Sequence, residues 1–127
     1  MRKKIWTVIF ASALLILLSV VEQKAVRTLT DEAMTQTQTI LQLLKSGQSE
    51  QGLEQARQMD TWWDEKAPMV EVLINHEATD DVRFTLSRLV AALEGEDCEE
   101  ALVFARELEG SIEHVLERQV LSLQNLL

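Results

Sequence analysis

The sequence predicts an all-α protein: a single N-terminal transmembrane helix continuous with an antiparallel up-down four-helix bundle. Three observations predict it. Residues Ile5 to Val21 form an uncharged apolar run. Beyond it, apolar residues recur at alternating steps of three and four, the period of one helix face, and no segment shows period-2 alternation. The 127 residues hold one proline and four glycines, too few turn residues for a sandwich of short strands. The length suits one domain and leaves no room for a large α/β enzyme. One cysteine excludes an internal disulfide framework.

The first element is the apolar run, IWTVIFASALLILLSVV, in which only Thr7, Ser12 and Ser19 are weakly polar. Its 17 helical residues span roughly 25 Å, slightly short of a hydrocarbon core of about 30 Å. Trp6 suits the head-group level, and Lys4 and Lys24 can snorkel to make up the difference. A cleaved signal peptide is the competing reading. Its cleavage site needs small residues just after the run, whereas Ala11-Ser12-Ala13 lies inside it and Ser19-Val20-Val21 ends on a β-branched residue. An uncleaved anchor is the preferred reading. Arg2, Lys3 and Lys4 favour a cytoplasmic N-terminus, which places the rest outside the membrane. The division expected is residues 1–21 as basic tip and anchor, and 22–127 as an extracytoplasmic bundle.

From Val26 a stripe continues through Leu29, Ala33, Gln36, Ile40, Leu43 and Leu44. No turn signal separates it from the span, so one helix is expected from about Ile5 to Lys45, with its bundle part at about 22–45. The run Thr35-Gln36-Thr37-Gln38-Thr39 is its weak point, since β-branched Thr lowers helix propensity. Gly47 is a candidate C-cap. A second helix, about 49–75, carries Leu53, Ala56, Asp60, Trp63, Ala67, Val70 and Ile74 beside Met59, Trp62, Met69 and Leu73. Two adjacent stripes suit a helix touching two neighbours. Pro68 is expected to kink it near Asp64–Pro68, or else to break it. A third helix, about 79–94, turns Val82, Leu86, Leu89, Val90 and Leu93 inward and stops at Gly95. Asp97-Cys98-Glu99-Glu100 resembles a capping box, with Asp97 as N-cap and Glu100 at N3. The fourth helix, about 98–124, carries Ala101, Ala105, Leu108, Ile112, Val115 and Gln119, with Leu102, Leu116 and Leu123 beside them. Short connections between four such helices give the up-down bundle.

Charge narrows the function. Of 12 basic residues, Arg2, Lys3 and Lys4 precede the apolar run, leaving 9 against 21 acids, a balance of −12. So acidic a domain repels nucleic acid and anionic lipid head groups, and no basic stripe with interleaved aromatics argues for nucleic acid. There is no phosphate loop, nucleophile elbow or catalytic triad. No enzyme activity and no cofactor are expected.

The remaining candidates each face a plainer explanation. His76 with Glu77, Asp80 and Asp81 is the nearest approach to a metal set, but HExxH is absent and no Glu lies three residues before either His76 or His114. The expectation is a His capping a helix junction, and no metal site. Trp62 and Trp63 are candidates for an aromatic cage, yet adjacent helical residues point about 100° apart, so Trp63 reads as core and Trp62 as a flank. Asp60 falls in the inward register, either paired with Arg57, Arg83, Arg88 or Arg106 or lining a polar pocket with Trp63, His76 and Arg83 or Arg88. Cys98 is a free thiol or an intermolecular disulfide partner. Glu94–Glu100 lacks the ligand spacing of an EF-hand. Asn125, Leu126 and Leu127 are either packed against the bundle base or a docking end.

Taken together, the short basic N-terminus, the apolar span and the all-helical remainder resemble the small bacterial proteins grouped as domain of unknown function 4363. The resemblance rests on Trp63 with Lys66, the His76-Glu77 pair, the Asp97 turn before a Leu-rich helix, and the ending Leu123-Gln124-Asn125-Leu126-Leu127. Pro68 and the strong acidity depart from the pattern. What the resemblance implies is a membrane-anchored helical domain of no assigned activity. The expectation is a non-enzymatic accessory or interaction protein, held in the bilayer through residues 5–21 and meeting a membrane-protein partner or a second copy of itself. The alternative is an extracytoplasmic small-ligand or metal sensor.

Overall fold

The computed structural model describes residues 2–71 and 76–126; of Val70 and residues 118–126 only the backbone is described. It contains four helices, α1 (Arg2–Lys45), α2 (Ser49–Glu71), α3 (His76–Glu94) and α4 (Cys98–Leu126), and no strand among the described residues. Each helix packs on two others, α1 on α2 and α4, and α3 on α2 and α4. The bundle is therefore a closed ring of four. Cross-helix bonds fix its direction. Arg57 of α2 meets Glu94 of α3, while Asp64 meets Arg83. Residue numbers rise along α2 as they fall along α3, so the pair is antiparallel. Thr37 with Met59 and Leu44 beside Gly52 give the same sense to α1 and α2.

α1 is one uninterrupted helix of 44 residues, about 66 Å long. None of its apolar 18-residue window is buried, and the window is long and apolar enough to cross a membrane. From Val26 onward the same helix turns Val26, Leu29, Thr30, Ala33, Thr37, Ile40, Leu41 and Leu44 into the core. The threonine run does not interrupt it. Thr35, Thr37 and Thr39 each donate to the carbonyl four residues back, on Asp31, Ala33 and Thr35, at 2.9, 2.8 and 2.9 Å. These bonds satisfy the hydroxyls within the helix, so Thr37 is buried at no cost in unpaired polar atoms.

Both turns away from the N-terminal end of α1 are Schellman caps. At the end of α1, the Gln48 N–H donates to Leu43 and the Gly47 N–H to Leu44, with Gly47 at φ 77. At the end of α3, the Asp97 N–H donates to Ala92 and the Glu96 N–H to Leu93. α3 stops before Gly95 as expected, and the left-handed residue of this turn is Glu96, at φ 58. A six-residue cap counted from Ala92 puts the left-handed position at Glu96 whatever the side chain, so the glycine sits one residue early. The capping box is also halved. The Asp97 carboxylate accepts from the Glu100 N–H at 3.1 Å, but Asp97's own N–H is already taken by Ala92.

α2 continues through Pro68 to Glu71 without a break. Residues 72–75, which the expected helix included, lie outside the described residues. Met69, placed on an apolar stripe by its spacing, is exposed. α3 begins at His76, three residues earlier than expected, and its first turn buries Ala78 and Thr79. Gly52 is a close approach of α1 and α2: a Cβ there would lie 2.9 Å from Leu44 Cδ2. The core is a continuous aliphatic layer around Trp63, which fills it from α2.

Candidate functional site

The polar residues singled out by sequence separate into two places. The first lies between α2 and α3, at the end where α2 stops and α3 starts. Trp63 is buried, and its Nε1–H donates to the Thr79 carbonyl at 3.3 Å. The Thr79 hydroxyl lies 3.0 Å from the His76 carbonyl and 3.4 Å from Glu71 Oε1. Arg83 is the hub. Its guanidinium reaches Asp64 at 3.2 Å, Asp80 at 3.3 Å and Glu71 at 3.5 Å. One cation thus holds three carboxylates and ties two helices together. A planar guanidinium, with five donors fixed in a fork, suits that task where a lysine ammonium would not.

Asp60 borders this hub without a direct contact from the arginines expected to pair with it. Arg57 goes instead to Glu94 at 3.0 Å, and Arg83 to its three carboxylates. Partial burial raises the Asp60 pKa above the usual aspartate value, and the nearby Asp64 carboxylate raises it further. The Arg83 charge pulls it back in part. Arg83 therefore acts on Asp60 through its field, not through a bond. His76 is exposed, with Nδ1 3.9 Å from Glu71 Oε2. Trp62 sits half-buried at the flank of Trp63, the rings 6.2 Å apart and tilted by 50°. That geometry is edge packing, not two walls of a cage.

The second place is an open groove between α3 and α4, lined by Asp81, Thr85, Arg88, Glu107, Gly110, Ser111 and His114. Glu77 lines its continuation beside Asp81 and His114. Arg88, expected beside Asp60, belongs to this groove. The suggested metal donors are likewise split. Asp80 is held by Arg83, His76 faces Glu71, and Glu77 lines the α3–α4 groove. No three His, Cys, Asp or Glu side chains converge as a metal set among the described residues. Cys98 is exposed. Asn125 and Leu126 have only their backbone described, and Leu127 lies outside the described residues.

Two features were missed by the sequence reading and both carried a signal. Asp64 and Glu71 are seven residues apart, two turns along one face of α2, and Asp80 and Arg83 form an i,i+3 pair. On α3, Glu77, Asp81, Thr85 and Arg88 repeat at helical spacing, as do Glu107, Ser111 and His114 on α4. Each set marks a polar face. What was absent from the one-dimensional pattern was which helix each face meets.

The fold and its sites define a class: an acidic four-helix bundle whose first helix extends as an apolar rod, with an arginine-centred charge cluster between α2 and α3. The family profile described as "Domain of unknown function (DUF4363)" matches residues 20–126, and the chain belongs to that family. No curated protein and no solved structure matches the chain.

Proposed function

We propose that this protein is a membrane-anchored, non-enzymatic accessory or interaction module that holds an acidic helical bundle close to the outer face of the membrane. The observation that carries the reading is the continuity of α1, which passes from the apolar run to the buried stripe with no linker. A flexible tether would let the bundle roam, whereas a helix fixes its distance and orientation. The interior of the apolar run fits a lipid environment. Thr7 and Ser19 donate to the carbonyls of Lys3 and Leu15 at 2.8 and 2.9 Å, so neither hydroxyl needs water. Arg2, Lys3 and Lys4 favour the N-terminus on the cytoplasmic side. The partner in this reading is a membrane protein or a second copy of the chain.

Cross-linking in native membranes, followed by purification in mild detergent, tests this reading. A membrane protein recovered in fixed stoichiometry supports the accessory role. Recovery of the chain alone overturns it and moves the weight to ligand sensing. The sensing alternative has less support, because in the place nominated for its pocket Trp63 is packed in the core and Arg83 is already held by Asp64, Glu71 and Asp80.

A further inference from the structure

We infer that the last turns of α4, beyond Glu117, lie in the lipid head-group layer beside α1 and form a second membrane contact. This rests on the anchor reading above. Helix lengths carry the first part of the argument. α1 ends at Lys45 and α4 begins at Cys98, both at the end of the bundle remote from the apolar run, and the two helices pack together. From Lys45 back to Val26, the first buried residue, α1 covers about 29 Å. α4 has 29 residues and covers about 43 Å. It therefore outruns the buried part of α1 by roughly 14 Å, or about nine residues at 1.5 Å each. By length, residues 118–126 extend past the level of Val26, toward the membrane side of the bundle in the anchor reading.

Charge carries the second part. Acids are dense along the chain from Glu94 to Glu117, and all 21 in the protein occur by Glu117. The following residues, RQVLSLQNL, hold one charge, Arg118, and the apolar Val120, Leu121, Leu123 and Leu126. Carboxylates are repelled by anionic head groups and costly near hydrocarbon, while a single arginine and leucines are favoured there. The acid-free stretch starts near the level of Val26, about 6 Å short of where the apolar run of α1 begins at Val21 in the anchor reading. At that level α1 itself carries Lys24 and Arg27 against Glu22. Helix length and charge are independent, and they place the same boundary at the same height.

The test uses the full chain with Cys98→Ser, reconstituted in vesicles of phosphatidylethanolamine and phosphatidylglycerol. A single cysteine carrying an environment-sensitive dye is placed in turn at 119 to 126, at Leu14, and at Gln48 of the remote turn. Lipid bearing nitroxide at the head group, lipid bearing it deep in the acyl chain, and aqueous iodide serve as quenchers. The expected result is a blue shift and head-group quenching at one helical face of 119–126, deep-nitroxide quenching at 14, and iodide quenching alone at 48. Quenching at 14 with iodide access throughout 119–126 overturns the inference and leaves the anchor standing. Protection of 119–126 from all three quenchers also overturns it, because protein then covers the segment. Loss of lipid quenching at 14 overturns the anchor and this inference together.

Discussion

The two halves of α1 are one helix in two environments. Residues 5–21 are apolar on every side and all exposed, while from Val26 to Leu44 the apolar residues keep to one stripe and that stripe is buried. The backbone is the same in both, and so is the device that satisfies hydroxyls, since Thr7 and Ser19 bond back to i−4 carbonyls just as Thr37 does. The difference lies in how far round the helix the apolar residues extend. A stripe is matched by neighbouring helices, whereas an all-round apolar surface needs a surrounding apolar phase. Exposure of large side chains such as Phe10, Leu15 and Ile16 therefore carries a meaning that exposure of a lone surface Leu does not.

Truncations should separate the halves most sharply. Trp63→Ala removes the largest buried side chain and one bond to Thr79. It should destabilise the bundle by about 3–5 kcal/mol in denaturant unfolding followed by circular dichroism. Leu15→Ala, also a large-to-small change, should move that transition by less than about 0.5 kcal/mol. A large effect of Leu15→Ala would mean that the apolar run packs on the bundle. Leu15→Arg attacks the other half. A charge at mid-span costs roughly 2.5–3.5 kcal/mol of insertion. The variant should leave the membrane fraction in cell fractionation while keeping the bundle's unfolding midpoint.

The two remote turns sharpen the point within the bundle. Gly47→Ala forces a side chain into the left-handed region and should cost about 1 kcal/mol. Glu96→Gly relieves the same strain at the matching position and should gain up to about 1 kcal/mol, read as a higher denaturant midpoint. Arg83→Met should cost about 1 kcal/mol at low salt and less at high salt, because its ion pairs are partly solvated.

The smallest expected effect is a pH slope. The folded state holds the Asp60 proton more tightly than the unfolded chain does. Between the ordinary and the raised pKa, the folded state thus binds more protons, and Asp60's contribution to stability falls as pH rises. That contribution is fullest below the ordinary aspartate pKa and is lost once pH passes the raised one. Asp60→Asn should flatten the slope of the unfolding midpoint across that interval. An unchanged slope would remove Asp60 as its source.

Much of the fold was legible because helix periodicity needs no partner to be read. Val82, Leu86, Leu89 and Leu93 on α3, and Ala101, Ala105, Leu108, Ile112 and Val115 on α4, are buried where their spacing puts them. Thr30 and Thr37 were not seen as core residues, since a threonine on an inward face is acceptable only when its hydroxyl has a bond, and that bond is to the helix's own backbone. Glycine punctuation was right at both Gly47 and Gly95, where α1 and α3 stop, although at the second turn Glu96 and not the glycine takes positive φ. A composition rule finds the turn, but the hydrogen-bonded ring sets which residue takes positive φ. The polar cluster was half legible. Asp60, Trp63, His76 and Arg83 come to one end of α2 and α3, while Glu71 and Asp64, which receive the Arg83 bonds, were overlooked.

By itself the sequence determined what depends on one helix at a time: the all-helical class, the apolar run, the inward faces and the acid-free end of α4. These follow from side-chain periodicity and charge along a single rod. Tertiary structure decided what depends on two rods meeting. It gave Arg83 to Asp64, Glu71 and Asp80 and left Asp60 with only its field. It sent Arg88 to the α4 groove and divided His76, Glu77 and Asp80 among different neighbours. Pairing across helices is set by their rotation and register, and those are fixed only when the apolar faces pack together.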